Sequence, residues 1–168
     1  MDLKGKKLVL VGGAGLIGSH TVDHLIKEDV KEILIYDNMV RGSVENLHDA
    51  TKDPRVKIYD VGGDIMQTDI LQSAFDGADG VFHFAALWLL QCHDYPRSAF
   101  DVNVRGTFNV MEACVAKGVK RLVSSSSASV YGDAVREPMD EDHPYNNKNF
   151  YGATKMAGEA MLRAFHHR

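Results

Sequence analysis

Cysteine, proline and tryptophan are all scarce in this chain: two, four and one among 168 residues. Cys92 and Cys114 are too few for a disulfide framework and lack the paired spacing of a zinc site, so neither a stapled secreted fold nor a structural metal is expected. No apolar run is long enough for a bilayer. The longest, VFHFAALWLL, is about half of the ~20 residues a spanning helix requires. Positive charge is not in surplus either: 19 Lys and Arg against 23 Asp and Glu leave a net charge of −4. The signs are interspersed, apart from a small basic knot at Lys4, Lys6 and Lys7 and an acidic stretch, REPMDEDHP. That pattern excludes a nucleic-acid face and a polybasic membrane patch. The opening MDLKGKKLVLVGGAG has no cleavable leader, which together with the thiol usage points to the cytoplasm. His166 and His167 read as a frayed helix end rather than a site.

What is present is ordinary globular composition, 45% hydrophobic and 25% charged, arranged with a clear alternation. KLVLVG, KEILIYD, RVKIYD, GVFHFAA and KRLVSSSS read as five strands, apolar nearly throughout, as expected when both faces of a parallel sheet are covered. LIGSHTVDHLIKED, SVENLHDA, TDILQSAFDG and RSAFDVNVRGTFNVMEACVAKG read as the helical connections, the last of them ending at Gly118. A further helix is expected from Phe150 onward. A βαβαβαβαβα order predicts an α/β fold, a doubly wound parallel sheet, and one domain over residues 1–168. The longest irregular stretch, 132–148, is of a length that often carries function.

VGGAGLIGSH follows the first strand and opens the first helix. Gly12, Gly15 and Gly18 are spaced three apart, and Gly13, Gly15 and Gly18 also satisfy G-x-G-x-x-G. Glycine permits the tight turn and lets backbone N–H groups approach a pyrophosphate, which the helix N-terminus favours. Asp37, at the tip of the second strand and about twenty residues on, completes a dinucleotide-binding constellation. A carboxylate there hydrogen-bonds ribose hydroxyls and repels a 2′-phosphate, so NAD is expected over NADP; Arg41 in the next loop is the residue that would speak for NADP.

Two further features bear on chemistry. Ser124 to Ser127 end the fifth strand, on the edge where open α/β sheets place their ligands. They serve either to satisfy backbone groups or to hydrogen-bond a substrate oxygen. In NFYGATK, Tyr151 and Lys155 stand four apart, on one helix face. A tyrosine is a poor base near its ordinary pKa of about 10, and a neighbouring ammonium favours the phenolate.

GGAGLIGSH, Asp37-Asn38, Asp64-Ile65, HFAA, NVRGTFNVMEA, SSSASVYG and YGATK together resemble the extended short-chain dehydrogenase/reductase family, in particular its NAD-dependent nucleotide-sugar epimerases and dehydratases. The resemblance spans essentially the whole chain and implies a Rossmann-type sheet. It implies that Gly12, Gly15, Leu16, Ile17 and Gly18 surround the pyrophosphate, that Asp37 and Asn38 meet the adenosine ribose, and that Asp64 and Ile65 meet the adenine. Phe84, Ala85 and Ala86 would line the cofactor at the fourth strand's tip. Ser127 falls at the catalytic Ser/Thr, Tyr151 at the general base, and Lys155 at the residue that holds the nicotinamide ribose and lowers the tyrosine's pKa. The implied reaction is 4-epimerisation of a nucleotide-diphosphate sugar, a UDP-sugar first, through a transient 4-keto intermediate with NAD bound throughout.

The chain departs from the family at three places. Val11 stands where threonine is common, Leu87-Trp88 where polar residues often occur, and Ser127-Ala128-Ser129 where 4,6-dehydratases carry Thr-Asp-Glu. Members of this kind continue for about as many residues again, so the expectation is a cofactor-binding part with the C-terminal substrate lobe absent. A non-catalytic NAD-binding fragment, and a nucleotide-sugar decarboxylase, dehydratase or reductase, stay open as alternatives. The resemblance also implies a homodimer through helices at 97–117 and 150–167.

Overall fold

The structure is a computed structural model and describes residues 2–167. Five parallel strands form one sheet in the order β3-β2-β1-β4-β5: β1 Lys7–Val11, β2 Glu32–Tyr36, β3 Val56–Ile58, β4 Gly80–His83 and β5 Arg121–Ser124. Leu8 pairs with Ile33 on one side and Gly80 on the other, so β1 is central and the strand order reverses between it and β4. Leu8 and Leu10 point to one face, Val9 and Val11 to the other, and all four are fully buried. Both faces of the central strand are therefore covered, which is why its sequence carries no polar alternation. Leu8, Leu10, Val22, Ile33, Ile35 and Leu47 belong to one continuous buried cluster; each such side chain contributes about 1.5–3 kcal/mol on removal from water. The edge strand β5 differs. Arg121 and Val123 are exposed while Leu122 and Ser124 are half-buried, so the expectation of an apolar strand covered on both faces fails there.

The connections are α1 Leu16–Leu25, α2 Thr68–Ala74, α3 Leu89–Asp94, α4 Pro96–Ala99, α5 Thr107–Ala116 and α6 Phe150–His167. SVENLHDA is not the helix expected. It forms two single 3-10 turns, Val44–Leu47 and Ala50–Lys52, because Ser43 N–H and Asn46 Nδ2 both donate to the Ala14 carbonyl and draw the segment onto the glycine turn. The long helix expected from 97 to 118 runs without a gap from α4 to α5, but its middle, Phe100–Gly106, is π-helical. It does stop where Gly118 sits, at φ +66, with the Val119 N–H closing on the Cys114 carbonyl. Residues 131–149 are irregular. Among the described residues no helix is long and apolar enough to cross a membrane.

By compactness the chain divides into two units. Among the described residues, those up to 85 together with 109–125 make the sheet unit, and 86–108 together with those from 126 onward make a helical unit of α3, α4, the π-helical stretch and α6. Within the helical unit α6 begins where its sequence says it should. The Asn149 side chain accepts the Gly152 N–H at 2.8 Å, an asparagine N-cap. Asn149→Ala is expected to lower the stability of the chain by about 1 kcal/mol, read as a shifted urea midpoint with unchanged slope.

Candidate functional site

In the sheet unit the turn after β1 is built around the absence of side chains. Gly12 has φ +81, and a Cβ there would lie 2.5 Å from the Ala85 nitrogen. A Cβ on Gly18 would lie 2.3 Å from the Gly12 carbonyl oxygen. The turn thus packs helix and neighbouring strand end against its own backbone, while Gly15 meets nothing closer than 3.4 Å. Val11, in the place where threonine is common, contributes its carbonyl, which accepts the Phe84 N–H at 2.7 Å and the Ala85 N–H at 3.1 Å. These bonds tie the β4 tip to the glycine turn at the point of strand reversal, where open α/β sheets bind ligands.

The start of α1 has no side-chain cap, so the first N–H groups of the helix are left for an anion. Leu16 and Ile17 are 73% and 61% exposed there, an unusual placement for two aliphatic side chains unless a ligand covers them. The turn fits a dinucleotide pyrophosphate: open N–H groups, no Cβ at Gly15, and a helix of 10 residues behind them.

Asp37 does more than the sequence indicates. Its Oδ2 accepts the Ala14 N–H and its Oδ1 the Met39 N–H, both at 2.9 Å. The carboxylate therefore shapes the glycine loop and keeps lone pairs for ribose hydroxyls. Met39 holds φ 58, a left-handed conformation costly for a non-glycine residue and of the kind found near functional sites. Asn38 is exposed and its side chain accepts the Val40 N–H at 3.2 Å. Asp64 and Ile65 are pinned through their backbones: the Tyr36 hydroxyl donates to the Asp64 carbonyl at 2.9 Å and Asn109 Nδ2 to the Ile65 carbonyl at 3.0 Å. Burial pushes the Tyr36 phenol up to about 12, so it remains a donor. The Ile65 side chain is buried and Phe84 stacks on Phe82; these two residues offer a ligand backbone rather than side chain. Ala85 is half-buried.

The helical unit contains Ala86 and all three residues expected to do chemistry. Tyr151 and Lys155 lie on one face of α6, with Lys155 Nζ 5.7 Å from the centroid of the Tyr151 ring. Burial holds the Lys155 ammonium below its ordinary pKa of 10.5; the nearby Cys92 acts in the opposite direction. Ser127 precedes the 3-10 turn Ala128–Val130 and caps it, its Oγ accepting the Ser129 N–H at 3.2 Å. That bond uses a lone pair and leaves the hydroxyl proton for a substrate oxygen. Both roles considered for this serine are thus compatible. Cys92 and Cys114 are free and buried.

Several residues that shape this unit carry no signal in a single sequence. Gly152 is one: its Cβ would lie 2.4 Å from the Ser129 carbonyl oxygen, so only glycine lets α6 approach the turn after Ser127. Asn103 is another. It sits in the π-helical stretch, 3% exposed. Its Oδ1 accepts the Leu87 N–H at 2.7 Å, and its Nδ2 donates to the Leu87 carbonyl at 3.0 Å and to Thr154 Oγ1 at 3.2 Å. Thr154 in turn donates to the Tyr151 carbonyl at 2.8 Å. A short polar chain therefore runs from the loop after β4 to the backbone of the proposed base.

An all-parallel sheet with a glycine turn at its point of reversal is the architecture of Rossmann-type dinucleotide-binding proteins, here joined to a helix bearing a tyrosine–lysine pair. Comparison with known proteins makes that class specific. The profile of the NAD dependent epimerase/dehydratase family matches residues 8–168. The chain belongs to that family. It is 38% identical over 159 residues to a UDP-glucose 4-epimerase of Lactobacillus helveticus, covering 93% of this chain and 46% of the other. It is 35% identical over 162 residues to the Bacillus subtilis enzyme of the same name, covering 95% and 48%. Among solved structures, the UDP-N-acetylglucosamine 4-epimerase of Methanobrevibacter ruminantium superposes with a TM-score of 0.88 at 33% identity, covering 98% of this chain and 51% of that one. A dTDP-glucose 4,6-dehydratase from Streptomyces venezuelae with NAD bound gives 0.89 at 30% identity, covering 96% and 52%. The chain spans about half the length of the relatives it matches.

Proposed function

We propose that this chain is the cofactor-binding and proton-transferring part of an NAD-dependent 4-epimerase acting on a UDP-hexose. The observation that carries the reading is the Tyr151–Lys155 pair on one face of α6, in a chain whose glycine turn and Asp37 suit NAD. NAD, when bound, supplies the hydride acceptor and donor. Gly12 to Gly18 and the α1 N-terminus would hold its pyrophosphate, Asp37 and Asn38 its adenosine ribose, Asp64 and Ile65 its adenine, and Phe84, Ala85 and Ala86 its remaining surface.

The chain's own residues handle the proton. Tyr151, as phenolate, takes it from the sugar 4-hydroxyl and later gives one back to the inverted oxygen. Lys155 stabilises that phenolate by its charge, an attraction that strengthens as water is excluded around a half-buried ammonium. Ser127 donates a hydrogen bond to the same sugar oxygen. Members of the family run both epimerisation and dehydration, and Ser127-Ala128-Ser129 lacks the acidic pair a dehydration would use, which favours epimerisation.

The test is to incubate the chain with NAD and UDP-glucose and follow UDP-galactose by proton NMR. Formation of UDP-galactose supports the reading. Cofactor binding without turnover would support a second one, a cofactor-binding unit alone.

The energetics of Lys155 give an independent check. Its pKa is lower folded than unfolded, so burial of the ammonium destabilises the ligand-free chain at neutral pH, and stability rises with pH only as the lysine discharges between its folded and unfolded values. Lys155→Met is expected to raise the thermal midpoint without ligand by about 2–4 °C while abolishing turnover. A lowered midpoint would show the lysine to be structural.

Assembly follows the same reading: a homodimer through the helices at 97–117 and 150–167. In the helical unit Phe100 and Phe108 are 55% and 39% exposed, and Phe108 meets Phe165 edge-on at 5.3 Å. Light scattering is expected to give twice the chain mass, and a monomer at high concentration would contradict it.

A further inference from the structure

Glu159 lies on α6, one turn beyond Lys155 and two beyond Tyr151, and nothing in the proposed reaction uses it. Both oxygens of its carboxylate are engaged. The Ser126 hydroxyl donates to one oxygen and the Tyr145 hydroxyl to the other. These donors come from different segments. Ser126 immediately precedes Ser127; Tyr145 lies in the irregular stretch 132–148, which links Ser127 to Tyr151 in the chain. The other ties of that stretch centre on the buried His143, whose Nε2 accepts the Val135 N–H at 3.0 Å. Tyr145 stacks on Tyr131 at 6.5 Å, His143 meets Tyr131 edge-on at 5.3 Å, and the Asn146 N–H donates to the Val130 carbonyl at 3.2 Å. Its ion pairs, Arg136 with Asp140 and Lys148 with Asp133, lie within the stretch itself, so they do not tie it to α6.

We propose that Glu159 is a positioning residue, whose carboxylate clamps both the strand end carrying Ser127 and the loop 132–148 to the helix carrying Tyr151 and Lys155. One charged acceptor with two hydroxyl donors is stronger than two neutral hydrogen bonds. It also makes the segments cooperative, because freeing either hydroxyl leaves the carboxylate half-satisfied. The Tyr145 phenol is held above its ordinary pKa first by its bond to Glu159, with Arg163, one turn further along α6, opposing the shift. The tyrosine therefore remains a donor throughout the neutral range. Where this concerns catalysis it rests on the epimerase reading; as a statement about the loop it does not.

Limited trypsinolysis of the chain separates the two, since Arg136 and Lys148 both lie in the loop. Glu159→Ala is expected to speed cleavage after Arg136 and Lys148 by about tenfold, the opening expected from losing hydrogen bonds to a charged group. Cleavage after Arg55 in the sheet unit should be unchanged, and Tyr145→Phe should give part of the same effect. Glu159→Gln, which keeps the shape and can bond both hydroxyls but lacks the charge, should restore part of the protection. In turnover assays Glu159→Ala should lower kcat about tenfold or more with KM changed less, again with partial rescue by Glu159→Gln. Unchanged loop cleavage in Glu159→Ala would overturn the clamp. Faster loop cleavage with unchanged kcat would overturn its catalytic part. A chain inactive in every form would count against the epimerase reading alone, since the cleavage pattern still decides the clamp.

Discussion

Gly12→Ala is expected to abolish NAD binding by the chain and to cost the sheet unit roughly 2–4 kcal/mol. Two effects add. At φ +81 an alanine is placed in the left-handed region, and its Cβ would stand 2.5 Å from the Ala85 backbone nitrogen. Backbone on both sides cannot yield as a side chain tip would, so the turn must open or the β4 tip must shift. Either movement breaks the paired bonds from Phe84 and Ala85 to the Val11 carbonyl and displaces the N–H groups facing the pyrophosphate. Urea denaturation and calorimetry on the same variant read both consequences. Undiminished NAD affinity would mean that the glycine turn is structural only.

Tyr151→Phe is the second substitution with a large expected effect, and its signature is the opposite. Removing one hydroxyl at a half-buried position leaves the ring in place beside Lys155. NAD affinity and the thermal midpoint should therefore change little. Epimerisation should fall by about 10²–10⁴, the usual contribution of a positioned general base. A loss of stability together with activity would point instead to a packing role for the hydroxyl. A variant that retains activity would remove Tyr151 from the mechanism.

The parts of this molecule that could be read from its residues are those whose cause is local. Three strands, β1, β2 and β4, announce themselves by apolar runs, the glycine turn by spacing and by the strand and helix around it, and the tyrosine–lysine pair by one helical turn. The failures are tertiary. VFHFAALWLL reads as one apolar stretch, yet β4 ends at His83 and α3 begins at Leu89; nothing local marks the break. SVENLHDA has helical periodicity but is captured by the Ala14 carbonyl from 29 residues upstream of Ser43. Asn103, Gly152 and Glu159 each act on partners distant in sequence, respectively Leu87 and Thr154, Ser129, and Ser126 and Tyr145. A single sequence shows such residues as an ordinary asparagine, glycine and glutamate in a helix.

Calorimetric titration of the chain with NAD and with NADP, after checking for cofactor carried through purification, tests the central claim most directly. Tight or already bound NAD, with NADP much weaker, is the result expected from the open α1 N-terminus and the Asp37 carboxylate. Binding of neither cofactor, or a preference for NADP, would contradict the account.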